Sequence, residues 1–155
     1  MTSDQLDPVA LAIILVALLL VLIAWVLVFV VAYVLTALCL ARFFRKVGVE
    51  EWVAWVPVYS GWKFLEVGGF PGVYVLFGLI PYGGIVTIVF SALAMHRIGI
   101  AFGKEAAWVV LGIFLPWVWW LLLARAEETY RPEWIAAAGY PPPRAGTGSA
   151  PPVTV

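Results

Sequence analysis

The stretch "WVPVYSGWKFLEVGGFPG", residues 55–72, decides the fold because it interrupts an otherwise apolar sequence. It is too apolar for an ordinary solvent loop, yet its prolines and glycines break it too often for a membrane-spanning helix. Pro57 disfavours helix at Val56. "YSGW" is typical of a turn, and "WKFLEV" predicts a short helix closed by Gly68 and Gly69. We therefore expect an elbow lying at a membrane surface.

The composition of the whole chain is that of an integral membrane protein. Of its 155 residues, 65% are hydrophobic and 12% are charged, whereas a soluble domain usually carries roughly 25% charged residues. The exterior must then be apolar too, so the lipid bilayer is the expected partner. A formal net charge of +0 provides no basic field to recruit nucleic acid. The single cysteine, Cys39, excludes an internal disulfide.

Three charge-free segments predict an all-α membrane fold with three transmembrane helices, at residues 8–40, 73–95 and 106–124. Residues 1–7 form a short extracytoplasmic N-terminus, and Asp7-Pro8 is a helix start signal. At 1.5 Å per residue the first segment is about 50 Å long, against a hydrocarbon core of about 30 Å. It should therefore tilt or project beyond the bilayer.

The elbow, residues 41–72, is predicted to lie between the first two spans on the cytoplasmic side. Amphipathic aromatic residues settle at that depth. The residues assigned to this interface are Trp52, Trp55, Pro57, Tyr59, Trp62 and Lys63. Three basic residues at its start, Arg42, Arg45 and Lys46, are candidates for binding anionic lipid headgroups. Marking of the membrane orientation is the simpler role for these three.

Prolines interrupt the second and third spans and predict kinks. Each proline frees the carbonyl four residues before it, at Phe77 and Gly112, and lipid cannot satisfy such a group. The two kinks are expected to meet near mid-bilayer as one packed site, with hydroxyl donors beside them. The residues assigned to this site are Pro81, Gly83, Gly84, Thr87, Ser91, Gly112 and Pro116.

The distribution of basic residues predicts the orientation. With three spans, seven basic residues fall on one side and two on the other, Arg97 and Lys104. The N-terminus is therefore expected outside and the C-terminus inside. A rival topology makes the second segment a re-entrant hairpin broken at "PYGG", with a less asymmetric count of six against three.

The remaining segments are predicted to connect or end the helices. Residues 96–105 form a short outer loop, and residues 125–139 a partly helical cytoplasmic exit segment. The Pro-rich residues 140–155 are predicted to form a flexible, disordered tail. The only histidine, His96, has no second ligand at metal spacing, so we interpret it as a solvated or lipid-facing residue rather than a cofactor ligand.

Several short motifs resemble a family of small prokaryotic multi-pass membrane proteins of unknown function, some labelled "large exoprotein" or associated with signal peptidase sequences. Gly48, Trp52 and "PVY" at residues 57–59 resemble the family block G-x-x-x-W…I-P-I-Y-N. Leu65 with "GGFPG" resembles L-x-x-x-G-K-P-x-W. "LIP" at residues 79–81, "FGK" at residues 102–104 and "LP" at residues 115–116 follow in the same order.

This resemblance covers residues 42–123 and implies architecture only, since the family has no established activity. Three positions depart from its pattern: Ser60 replaces the usual Asn, Phe70 replaces Lys, and Gly83 stands where Asn is common. A chemical role for those polar groups is therefore not expected in this chain.

Function is predicted to be non-catalytic. The three apolar segments contain no ionisable residue that would indicate a proton relay, an ion-coupled carrier or an embedded hydrolase. No catalytic group, metal site or cofactor is predicted. We expect a scaffold or accessory subunit of a membrane assembly, with a membrane-protein partner or as a homo-oligomer, in the prokaryotic cytoplasmic membrane. The alternative is a small oligomeric channel or carrier lined by carbonyls freed at Pro81 and Pro116.

Overall fold

The structure, a computed structural model, describes residues 7–148. In this part of the chain 72% of the residues are helical and none is in a strand, so the all-α prediction is confirmed. Six α-helices occur in the order α1 (Pro8–Val47), α2 (Pro57–Val67), α3 (Gly84–Ala101), α4 (Trp108–Phe114), α5 (Pro116–Leu123) and α6 (Glu133–Ala137). Two 3₁₀ helices lie between them, the first at Glu51–Trp55 and the second at Gly72–Leu79.

The described chain divides into two units. The first ends at Thr36 and the second begins at Ala37. The first unit is the N-terminal part of α1, whose start is capped by Asp7: the Asp7 Oδ1 atom accepts a 3.2 Å hydrogen bond from the Val9 N–H. Its large apolar side chains are exposed in every direction, for example Leu20 and Phe29. Such a helix needs apolar surroundings.

The second unit has an aromatic core. Phe43, near the end of α1, is fully buried, and its ring lies 5.9 Å from that of Trp119 and 6.1 Å from that of Phe64. Ile98 of α3 and Ile135 of α6 are also fully buried. The cluster thus joins the end of α1 to α2, to the C-terminal half of α3, to α5 and to the segment after α5.

Helix α2 is longer than the sequence indicated, and the turn predicted at "YSGW" is wrong. Pro57 occupies the first helical position, where its fixed φ and missing N–H cost nothing. The Ser60 hydroxyl donates a 2.7 Å hydrogen bond to the Pro57 carbonyl within that first turn. The helix ends at Val67, as predicted, because Gly68 and Gly69 follow and Gly69 has a positive φ of 78°.

The second predicted transmembrane helix, residues 73–95, is not one kinked helix. The second 3₁₀ helix and α3 are separated by a turn in which Pro81 lacks an N–H and Tyr82 has a φ of 65°. The third, residues 106–124, is divided at Leu115, whose φ of −135° and ψ of 65° are not helical. Pro116 then begins α5.

The first nine residues of the predicted flexible tail, 140–148, pack against the second unit. The Arg144 N–H donates to the Glu66 carbonyl at 2.8 Å, and the Gly148 N–H donates to the Val47 carbonyl at 3.2 Å. Both carbonyls lie in the last turn of a helix, where no N–H group of the same helix can bond to them. These two hydrogen bonds hold residues 140–148 in place. The rest of that predicted tail, residues 149–155, and the first six residues of the predicted N-terminus lie outside the described residues.

Candidate membrane interface

The second 3₁₀ helix and α3 form an antiparallel pair, called here the first hairpin. Tyr74 of the 3₁₀ helix stacks on Phe90 of α3 with ring centroids 4.3 Å apart. Nearer the turn, the Thr87 hydroxyl donates to the Tyr74 carbonyl at 3.3 Å. The Ile80 N–H donates to the Phe77 carbonyl at the end of the 3₁₀ helix, and the Gly83 N–H donates to the Ile80 carbonyl within the turn. Residues 80–83 are therefore the tip of this hairpin.

Arg97 closes the base of the first hairpin. One guanidinium nitrogen donates to the Gly68 carbonyl at 3.3 Å, and the guanidinium carbon lies 3.7 Å from the centroid of the Phe70 ring. The backbones also approach closely, since a Cβ on Gly68 would lie 2.5 Å from the Ala94 Cβ. The chain thus enters the hairpin at Gly68 and returns to the same level at Arg97.

Helices α4 and α5 form a second hairpin with its tip at residues 114–116. A Cβ on Gly112 would lie 3.3 Å from Trp119 Cδ1, although two turns of a straight helix would separate residues seven apart by about 10 Å. At the base, the Lys104 ammonium pairs with the Glu128 carboxylate at 2.6 Å. The Arg131 N–H donates to the Ala101 carbonyl at 2.8 Å. The start of α4 and the end of α5 therefore lie close together at the base of the second hairpin.

Both hairpins extend in the same direction from the core. Helix α4 runs antiparallel to α3, with Gly99 beside Lys104 near the base and Gly112 beside Met95 further along. Gly112 lies next to the second tip, whereas Met95 is eleven residues from the start of α3 at Gly84. At 1.5 Å per residue the first tip therefore extends beyond the second by about 10 Å.

The tips are exposed and apolar. Leu79, Ile85 and Phe114 retain 70%, 68% and 77% of their accessible surface. No charged residue occurs in residues 67–96 or 106–124. An exposed apolar surface of this extent marks a contact with lipid or protein.

Charged residues gather at the bases of the hairpins, next to aromatic rings. Lys104 lies 4.8 Å from the Trp108 ring, and Arg131 lies 4.7 Å from the Trp134 ring. Lys63 donates a 2.7 Å hydrogen bond to Glu66, and this bond raises the pKa of Lys63 against the opposing effect of burial. Cations beside aromatic rings are suited to the boundary between headgroups and hydrocarbon.

These closures contradict the three-span topology. Three spans would place Lys104 outside and Glu128 inside, separated by a hydrocarbon core of about 30 Å, but the two side chains form an ion pair. Arg97 and Gly68 would likewise lie on opposite sides, yet they are hydrogen-bonded. The rival with a single re-entrant segment fails at Lys104 for the same reason. Neither the three-span topology nor this rival contains two re-entrant segments.

The residues predicted to form the proline site are distributed over both hairpins. Pro81 is exposed at the first tip, and Pro116 is half-buried at the second. The Phe77 carbonyl accepts the Ile80 N–H at 3.1 Å. The remaining residues of the predicted site lie along the arms. Gly83 ends the first tip and Gly84 starts α3, Thr87 and half-buried Ser91 follow on the same helix, and buried Gly112 faces Met95.

The residues predicted to form the elbow lie on the first 3₁₀ helix and on α2. Trp52 stacks on Tyr59 with centroids 5.7 Å apart and donates a hydrogen bond to Glu50. The Trp62 indole N–H donates to Glu66 at 2.8 Å. Trp55 and Pro57 are exposed between the first 3₁₀ helix and α2.

The three headgroup candidates lie on the last turns of α1. Arg42 and Arg45 are exposed and Lys46 is half-buried. Arg45 pairs with Glu51 at 3.2 Å. His96 is half-buried, and its ring lies edge-on to that of Tyr140 with centroids 6.2 Å apart.

The sequence did not indicate which residues close the two bases, namely Gly68 with Arg97 and Lys104 with Glu128. The sequence nevertheless held one indication of these two contacts. In the three-span topology, Arg97 and Lys104 are the two basic residues assigned to the outer side. If the bases of both hairpins lie on the same side of the membrane, Arg97 and Lys104 lie on that side with the other basic residues.

Comparison with known proteins identifies a family but no activity. A model of the family of unknown function DUF5684 matches residues 52–132, from the first 3₁₀ helix to just before α6, and so includes both hairpins. No curated protein and no solved structure matches the chain. Among residues 7–148, two helices, α1 and α3, are long and apolar enough to cross a membrane. Since the match covers more than half of the sequence, the chain belongs to the family of unknown function DUF5684.

Proposed function

We propose that the chain is a non-catalytic membrane scaffold. Helix α1 anchors it in the prokaryotic cytoplasmic membrane, with the N-terminus outside. The second unit lies on the cytoplasmic side with its two hairpins embedded in the adjacent leaflet, where their apolar faces receive a membrane-protein partner or a second copy. The observation that carries this proposal is the 2.6 Å ion pair between Lys104 and Glu128, because it fixes both ends of the second hairpin at one level.

The lengths of the arms fit one leaflet. The eight residues of the second 3₁₀ helix extend about 16 Å at 2.0 Å per residue. The seven residues of α4 extend about 10 Å. Both distances are well below the hydrocarbon thickness of about 30 Å. Helix α3 is long enough to cross, but its C-terminal half carries Ala94, Ile98 and Ala101, which are buried in the core.

The charge distribution supports the same topology. All nine Lys and Arg residues lie between Arg42 and Arg144, and residues 1–41 contain none. With one span and two re-entrant hairpins, the count becomes nine on the cytoplasmic side and none outside. This asymmetry exceeds the seven against two of the three-span topology and favours the same orientation of α1.

The contacts of the charged residues support a scaffold over an enzyme or a channel. Lys63 and Lys104 are both paired with glutamates: Lys63 with Glu66 within α2, and Lys104 with Glu128 at the base of the second hairpin. Of the two carbonyls that would line the path in the channel alternative, those of Phe77 and Gly112, the Phe77 carbonyl accepts a 3.1 Å hydrogen bond from the Ile80 N–H.

A depth measurement tests the insertion. In a Cys39→Ala background, Tyr82→Cys places a thiol at the first tip and Thr129→Cys a thiol at the base; both positions are exposed. We expect a fluorophore at residue 82 to be quenched from the lipid chains and shielded from aqueous quenchers, and one at residue 129 to behave oppositely. Reaction of Tyr82→Cys with an aqueous reagent from the outer side would show that the hairpin crosses the bilayer.

The scaffold role has a separate test. After extraction in mild detergent, the protein should have the mass of an oligomer or of a complex with another membrane protein, measured by light scattering. A strictly monomeric protein without partners would contradict this role and leave the insertion unaffected.

A further inference from the structure

We infer that the second unit contains a binding site for a small zwitterion, in which a short linker joins an ammonium group to a carboxylate or a phosphate. The site is a cavity of about 280 Å³ that begins at Gly48, directly after α1. This volume is at the lower limit of ligand cavities, about 300 Å³, so the ligand must be small. The inference goes beyond the scaffold role and does not depend on the topology of the hairpins.

The wall of the cavity is mostly polar and comes from separate parts of the chain. Gly48 and Glu50 follow α1, and Gly146 belongs to the packed residues 140–148. Tyr59 and Lys63 are four residues apart on α2 and therefore lie on one face of that helix. The side chains with formal charges in this wall are one carboxylate, from Glu50, and one ammonium, from Lys63.

These two charges bind other groups rather than each other. The Lys63 ammonium has three N–H donors, and one of them bonds to Glu66 at 2.7 Å. This bond raises the pKa of Lys63, so the group is an ammonium at neutral pH. One oxygen of Glu50 accepts a hydrogen bond from the Trp52 indole, and no cation within residues 7–148 pairs with Glu50. Both charged groups therefore retain the capacity to bind a ligand.

The combination of charges selects the class of ligand. A simple anion is repelled by Glu50, and a simple cation is repelled by Lys63. A zwitterion avoids both penalties, because its ammonium can bond to Glu50 while its acidic group accepts from Lys63. Hydrogen bonds between such charged groups are about twice as strong as those between neutral groups.

A ligand in the cavity should also stabilise the packed C-terminal residues. Gly146 is buried, and its carbonyl accepts a 3.2 Å hydrogen bond from the Tyr130 hydroxyl. On either side of it, the Arg144 and Gly148 N–H groups donate to carbonyls in the last turns of α2 and α1. A ligand held between α2 and Gly146 should therefore slow hydrogen exchange at these two N–H groups.

Calorimetric titration of the full chain in detergent tests the site. The zwitterions are β-alanine and O-phosphoethanolamine, and the singly charged controls are ethanolamine, propionate and inorganic phosphate. We expect at least one zwitterion to bind about tenfold more tightly than any control, since each control lacks one charged hydrogen bond. Absence of binding by both zwitterions at millimolar concentration, or equal binding by a control, would overturn the inference.

The same chemistry occurs in free molecules and in the headgroup of an ethanolamine phospholipid. Nanodiscs of phosphatidylglycerol, which lacks an ammonium, are compared with nanodiscs that also contain phosphatidylethanolamine. Weaker binding of the soluble zwitterion in the second kind of nanodisc would identify the headgroup as the natural ligand. Equal binding in both would identify a free molecule.

A matched set of variants assigns the binding to this cavity. Glu50→Gln and Lys63→Met should each weaken binding of the zwitterion about tenfold. Glu51→Gln is the control, because Glu51 is an equally exposed neighbour that pairs with Arg45, and it should bind normally. Since Glu50 is exposed, its substitution opens no cavity in the core. Unchanged affinity in Glu50→Gln, or an equal loss in Glu51→Gln, would show that the zwitterion does not bind here.

Discussion

Lys104 and Glu128 are 24 residues apart in sequence, and their side chains form a 2.6 Å ion pair. The whole of α4 and α5 lies between them, within the charge-free segment of residues 106–124. The pair joins the two ends of this apolar segment, so the segment forms a hairpin. Arg97 and Gly68 do the same for the preceding apolar segment.

The Lys104–Glu128 pair should contribute measurably to stability. Both side chains are about one-fifth exposed, so solvent screening reduces the interaction without removing it. A double-mutant cycle with Lys104→Met and Glu128→Gln should give a coupling free energy of about 1 kcal/mol in thermal unfolding in detergent. The exposed pair between Arg45 and Glu51 is the control and should give less. No coupling between Lys104 and Glu128 would contradict their role in closing the hairpin.

Gly68→Ala should be strongly destabilising. The new Cβ would lie 2.5 Å from the Ala94 Cβ and 2.7 Å from the Ala94 Cα, and a backbone atom cannot move aside as a flexible side chain can. We expect a loss of about 2 kcal/mol. Gly84→Ala is the matched control because a Cβ there meets nothing within 4 Å. Equal melting temperatures for the two variants would show that α2 and α3 do not approach as described.

Arg97→Lys should weaken the base of the first hairpin although the charge is kept. An ammonium group cannot reproduce the planar contact with the Phe70 ring while it bonds the Gly68 carbonyl. The expected cost is about 1 kcal/mol in the free energy of unfolding. The same substitution at exposed Arg125 should have no effect. If both substitutions are neutral, Arg97 does not close the hairpin.

Tyr130 should make the second unit sensitive to alkali. Burial, with a smaller contribution from Glu133, raises the pKa of this phenol above its ordinary value of 10.0. The folded state keeps the proton more tightly than the unfolded state, so this contribution is complete below pH 10.0 and is lost as the pH rises further.

Replacement of this tyrosine by phenylalanine provides the measurement. Tyr130→Phe loses the 3.2 Å hydrogen bond to the Gly146 carbonyl, at a cost of about 1 kcal/mol near neutral pH. Unfolding midpoints measured from about pH 8 to about pH 11 should then fall less steeply than those of the unaltered protein. Parallel curves for the two proteins would contradict the assignment.

The sequence predicted the apolar segments but could not predict where they end. Residues 73–95 and 106–124 are charge-free, and a span and a re-entrant hairpin share that property. The distinction depends on contacts such as Lys104 with Glu128, which join residues far apart in the chain. Pro81 and Pro116 were read as kinks within spans, whereas they stand at the two turns. Proline disfavours helix continuation in both cases, so composition alone cannot separate them.

Local signals near α2 were only partly informative. Gly68 and Gly69 correctly indicated the end of the helix, but "YSGW" was read as a turn even though Pro57 provides a helix start. Tertiary packing resolves this conflict. Gly61 lies where a Cβ would be 2.6 Å from Val75 Cγ2, so this glycine permits close approach to the second 3₁₀ helix rather than a turn. The packing of residues 140–148 likewise depends on free carbonyls at helix ends, which composition does not reveal.

The most direct test of the one-span account is the sidedness of four single cysteines in intact cells and in permeabilised cells. Asp7→Cys, Glu51→Cys, Glu105→Cys and Ala126→Cys are all exposed positions, examined in a Cys39→Ala background. The account predicts that an impermeant thiol reagent labels only Asp7→Cys from outside, and the other three only after permeabilisation. Labelling of Glu105→Cys from outside would restore the three-span topology and contradict the account.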